Sequence, residues 1–192
     1  MIKSVCRVIR QVTLFPRGAA TLLLIRMSRR SRVADFELVD STDDGSPGAA
    51  NQLTRALDLI RDSLPTVYAR MQRDVARVIL LKAGGPEYWP FTKAIAFKKT
   101  TVETAEIPLL AMTLVHEATH ARLWAIGIGY PVKARARIEQ LCVSAEVRLA
   151  RRLPDAAELE SFALEKLKRE WWTESAIAER RARARRELSE HP

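Results

Sequence analysis

An apolar run, Leu109-Leu110-Ala111-Met112-Thr113-Leu114-Val115, leads directly into His116-Glu117-Ala118-Thr119-His120. The run reads as helix, and Pro108 suits its first turn, where a missing amide hydrogen costs nothing. Gly127 and Gly129 mark its end, so the helix is expected to stop near Ile126. On such a helix the i, i+4 spacing puts both imidazoles on one face, one turn apart. Of the chain's three histidines two are therefore paired around a glutamate, and the third, His191, is next to last. Two imidazoles so placed can share a tetrahedral zinc ion, with the intervening glutamate in reach of a water at the ion. A catalytic zinc needs a third protein ligand and an open position, so the fold must bring another element against this face.

After Pro131 a second helix is expected to run to about Leu153, joined to the first by a short Gly/Pro loop. Two helices so joined are antiparallel neighbours. The second presents Glu139, Cys142 and Glu146 on one face. Each is a candidate third ligand on chemistry alone, although a buried cysteine more often serves as a small apolar residue.

Elsewhere the pattern is mixed. Asp35–Asp40 alternates as a short strand, and residues 41–48 form a turn-rich loop. Ala49 to about Met71 repeats apolar residues at helical spacing, with a break expected at Pro65. Val75–Leu81 and Thr92–Lys98 are strand candidates, and a long charged helix is expected from about Asp155 to Glu190. The order predicts an α+β fold, a small mixed sheet beside a helical layer. Three segments follow: a basic N-terminal arm over 1–34, a domain over 35–154, and a C-terminal helical extension over 155–192 packed on the domain.

The chain's net charge of +9 is concentrated. Eight cations and no acid precede Asp35, so the basic balance belongs to the arm and nucleic acid is an unlikely partner for the domain. The arm's apolar stretch, Ala19–Ile25, is too short to span a bilayer, which takes about 20 apolar residues. It is compatible with an arm lying on an anionic membrane surface, with an ordinary docked arm, or with a start at Met27 rather than Met1. Cys6 and Cys142 offer no disulfide framework, which fits a reducing, cytoplasmic setting.

H-E-x-x-H followed by a glutamate after 18 residues resembles the gluzincin class of zinc metallopeptidases, which includes thermolysin-like enzymes and the large zinc aminopeptidases. The resemblance covers roughly residues 105–150. It implies a zincin-like domain, with His116, His120 and Glu139 as zinc ligands and Glu117 as general base to a metal-activated water that hydrolyses a peptide bond. It also implies an edge strand above the motif helix that holds substrate as an added strand. An oxyanion donor is expected among Tyr88, Tyr130, Arg135 and Arg137. Two departures are visible. The Gly-Ala-Met-Glu-Asn element of the large aminopeptidases is missing. Val143 stands where many gluzincins have an Asp supporting a ligating histidine, which leaves Glu146 as the candidate for that role. The rival expectations are a zinc-binding domain without peptidase activity, and a basic surface-binding protein in which the motif is incidental.

Overall fold

A computed structural model describes residues 23–42, 47–168 and scattered positions between 173 and 186. The fold is α+β with a five-stranded mixed sheet. Strands β1 (Arg29–Val33), β2 (Phe36–Asp40), β3 (Arg77–Leu81), β4 (Glu87–Trp89) and β5 (Ala94–Lys98) lie in the order β1-β2-β3-β5-β4. The central trio β2, β3 and β5 is parallel, and the two edge strands run antiparallel to it. Buried parallel strands read as continuous apolar runs, and Val78-Ile79-Leu80 and Ala94-Ile95-Ala96-Phe97 are such runs.

Helices α1 (Pro47–Ser63) and α2 (Pro65–Asp74) carry the chain from β2 back to β3. They are divided at Leu64, whose backbone leaves the helical region because Pro65 follows it. After β5 come the short α3 (Lys99–Thr104), then α4 (Ile107–Ala125), a 3-10 turn at Val132–Ala134, α5 (Arg135–Ala150) and α6 (Ala156–Lys168). The main core lies between one sheet face and the helices: Phe36, Leu38, Leu80 and Phe97 meet Leu53 and Ile60 of α1 and Leu114 of α4. Val39, Ile79 and Ala96 form a smaller core on the other face, under Ile25 of a helical turn over 23–27. Leu159 and Ala163 of α6 belong to the main core.

Several expectations shift. Residues 29–33, placed in the basic arm, are β1 and pair with β2 through a tight turn at Ala34-Asp35. Ala34 has φ 48°, the left-handed geometry that a two-residue hairpin turn demands. Asp35 accepts hydrogen bonds from the Tyr68 hydroxyl and the Gln72 amide, both at 2.8 Å, which tie that turn to α2. Thr92 and Lys93, read as strand, are in the turn before β5. The single helix expected over 155–190 is helical through Lys168, whereas Thr173 is in a bend and its hydroxyl accepts from the Ala176 amide at 3.4 Å. Residues 1–22, with Cys6, and most of the arginine-rich 180–186 lie outside the described residues. No helix among the described residues is long and apolar enough to cross a membrane.

Candidate metal centre

Helix α4 runs through the middle of the domain, buried on most of its surface from Leu110 to Ala118. It ends in a Schellman cap: the Gly127 amide donates to the Trp124 carbonyl and the Ile128 amide to the Leu123 carbonyl, both at 2.9 Å. Gly127 holds the left-handed turn at φ 84° and Gly129 a second at φ 66°. These two reversals send the chain back as α5, antiparallel and packed along α4. The imidazoles of His116 and His120 thereby face the side chains of Glu139 and Cys142.

The distances within this cluster match one another. His116 Nε2 is 3.2 Å from His120 Nε2 and 3.2 Å from Glu139 Oε2, and His120 Nε2 is 3.5 Å from Glu139 Oε1. Two ligand atoms about 2.0–2.1 Å from a tetrahedral zinc stand about 3.3 Å apart, so the observed spacing is that of neighbouring ligands around one small ion. Cys142 Sγ is 3.6 Å from His120 Nε2, and the ligand atoms of His116, His120 and Cys142 lie within 4.8 Å of one another. All three candidate third ligands on α5 are buried, but they do different things. Glu139 and Cys142 meet the paired Nε2 atoms, whereas Glu146 reaches the far side of His116, where Oε1 lies 2.5 Å from Nδ1. Its other oxygen accepts from Lys166 Nζ of α6 at 2.6 Å. Glu146 thus stands on the Nδ1 side of His116, away from the paired Nε2 atoms.

These contacts decide which atoms can bind an ion. With the Nδ1 proton given to Glu146, neutral His116 turns the Nε2 lone pair toward His120 and Glu139. Glu139 Oε2 is enclosed and faces His116 Nε2, and its other oxygen accepts the Tyr130 hydroxyl proton. Three carboxylates, Glu117, Glu139 and Glu146, are buried in this small volume, and Lys166 pairs with Glu146. Lone pairs and negative charges converging in a low-dielectric space are unfavourable unless a cation joins them. The residues present therefore fit a divalent ion.

The protonation equilibria reflect the same crowding. Burial opposes a charge on His116, but Glu139, Glu146 and Glu117 outweigh it and push its pKa up to about 10, so a proton takes the cation's place. Burial and the adjacent His116 lower His120 to about 4. Glu117 is raised to about 7, chiefly by burial, with the Glu139 and Glu87 carboxylates adding to it and His116 and a hydrogen bond from the Tyr88 amide opposing. Burial, reinforced by Glu139, Glu117 and Glu146, pushes the Cys142 thiol well above its ordinary range.

The cluster opens onto a cleft of about 270 Å³. One wall is the edge strand β4 with its flanking residues Pro86 and Pro90, and the other is Trp124, Gly129 and Tyr130. Of the four expected oxyanion donors, Tyr130 and Tyr88 line the cleft. Tyr130 stands with its ring 5.3 Å from that of His120. Tyr88 turns its hydroxyl to the Asp74 carbonyl at 3.5 Å. Arg135 stacks over the Tyr130 ring at 5.5 Å, and Arg137 is exposed on α5. Lys166 is the participant that the sequence reading missed, because a lysine in a charged helix carries no mark of a buried partner. No family model, curated protein or solved structure matches this chain.

Proposed function

We propose that the protein is a minimal zinc-dependent peptidase of zincin-like design, with His116, His120 and Glu139 as the ligands and Glu117 as the general base. The observation that carries this reading is the mutual spacing of the two Nε2 atoms and the Glu139 carboxylate, at 3.2 and 3.5 Å, at the floor of an open cleft. A zinc ion held there would acidify a water and polarise a substrate carbonyl. Glu117 accepts one proton from that water as its oxygen bonds to the carbonyl carbon, and delivers it to the nitrogen as the C–N bond breaks. Burial raises the basicity of Glu117, and a carboxylate that holds a proton more readily suits both halves of this transfer. Glu146 keeps the Nδ1 proton on His116 and so keeps Nε2 free to ligate. Tyr130, at the rim beside His120, would donate to a developing oxyanion once its hydroxyl turns from Glu139.

A second reading rests on Cys142. Its sulfur lies at a distance from His120 that also suits a shared ion. If the thiolate filled the fourth position, the site would be closed and structural rather than catalytic. The deciding measurement is metal analysis of the purified protein, followed by cobalt substitution. An open site gives a cobalt spectrum without sulfur-to-metal charge transfer, zinc lost on His116→Ala, and peptide hydrolysis lost on Glu117→Gln. A charge-transfer band that disappears in Cys142→Ser would favour the closed site, and a protein that takes up no metal would remove both readings.

A further inference from the structure

The cleft wall formed by β4 has an unusual backbone. In register, Tyr88 stands opposite Ile95 of β5, with Glu87 and Trp89 on either side. β4 is three residues long and is flanked directly by Pro86 and Pro90, which have no amide hydrogen. An edge this short, closed by proline at both ends, offers few amide donors to a peptide laid beside it. Main-chain pairing is what gives strand addition its affinity.

The side chains around the cleft have a clear character of their own. Trp124 is 43% exposed and Tyr130 37%, both facing a wall that contains two prolines. Glu87, Glu117 and Glu139 supply the charge, and no lysine or arginine is among the described residues that line the cleft. A volume of about 270 Å³ is at the small end for ligand sites, which start near 300 Å³.

We propose that the site takes short, non-acidic peptides with an aromatic or large aliphatic residue beside the scissile bond, gripped by side-chain contacts with Trp124 and Tyr130 more than by main-chain pairing with β4. The proposal rests on the zinc-peptidase reading and narrows its substrate class. Hydroxamates, which chelate zinc through two oxygens, report on it without a known cleavage sequence. Binding of phenylalanine, alanine and glutamate hydroxamates, and of a phenylalanine series lengthened by alanines, is measured calorimetrically on zinc-loaded protein. The expected result is phenylalanine over glutamate by about tenfold or more, with affinity levelling off by the third residue. Trp124→Ala is expected to cost the phenylalanine compound about tenfold and to leave the alanine compound unchanged. Equal binding of glutamate and phenylalanine, or affinity that climbs steeply with each added residue, would overturn the proposal and leave the metal centre standing. Zinc-loaded protein that binds none of the hydroxamates would overturn the peptidase reading together with it.

Discussion

His116 Nδ1 and Glu146 Oε1 lie 2.5 Å apart, and Glu146 is wholly enclosed. Supporting carboxylates of this kind orient a ligating imidazole, and their loss typically costs about 10–100-fold in metal affinity. Glu146→Gln is therefore expected to weaken zinc binding by about that factor while the fold persists. Competition with a chromophoric chelator measures it. Unchanged affinity would mean that Glu146 serves packing alone.

Removing ligands separates the two arrangements at the site. His116→Ala and His120→Ala are each expected to abolish stoichiometric zinc. If Glu139 is the third ligand, Glu139→Ala loses zinc as well and Cys142→Ser keeps it. The opposite pattern assigns the position to Cys142. Elemental analysis of the four proteins, with circular dichroism to check folding, distinguishes the outcomes.

Glu117→Gln keeps the size of the side chain and removes the base. Zinc content is expected to match the parent, and peptide hydrolysis to fall by about 10²–10⁴-fold, the usual contribution of a positioned proton-transfer group. A variant as active as the parent would exclude Glu117 from the reaction.

Acid–base linkage gives a further test. His116 is raised to about 10 in the metal-free protein, so near pH 7 it holds a proton that a metal ion must displace. Zinc binding at pH 7 is expected to release about one proton, read from the dependence of the binding enthalpy on the ionisation enthalpy of the buffer. The sign for stability follows from the same shift. A histidine whose folded pKa lies above 6.5 stabilises the fold fully below that value and loses the contribution as pH rises toward 10. Glu117, raised from 4.5, acts in the same direction up to about 7. His120, depressed to about 4, acts oppositely but only below pH 6.5. Between pH 7 and 9 the melting temperature of the metal-free protein should therefore fall, and saturating zinc should flatten the decline. A flat metal-free profile would contradict the buried charge assigned to His116.

Gly127 tests the connection between the two ligand helices. An alanine there enters the left-handed region at a cost of about 1–2 kcal/mol. Nothing lies within 4 Å of where its Cβ would stand, so crowding adds no further cost. Urea denaturation of Gly127→Ala should show a loss of that size, and a stability equal to the parent would mean that the loop is free to rearrange.

Most of what positions the site is legible along the chain, because helices announce themselves locally. The apolar run before His116, the glycines after it and the face shared by Glu139, Cys142 and Glu146 are all short-range patterns. Glu146 could be nominated for a supporting role only because α5 continues its face by one more turn. The strands at the edges are another matter. Arg29-Arg30-Ser31-Arg32 has no apolar alternation, and it becomes β1 because β2 offers unpaired backbone. Three residues of β4 are too few to show a period, yet they form a wall of the cleft. Lys166 lies twenty positions from its partner Glu146, and nothing local links the two.

The tight turn through Gly127 and Gly129 has a consequence for assembly. It places both histidines and Glu139 within one helical hairpin, so the ligands meet across a short stretch of chain and the entropy of closing that loop is small. Such local contacts form early in folding, whereas the parallel pairing of β2, β3 and β5 must wait for distant segments to meet. An ion captured by the nascent hairpin would act as a clamp, around which the slower sheet could settle. In that order of events, the ligand cluster and the Trp124 and Tyr130 side of the cleft would form before the sheet supplies the opposite wall.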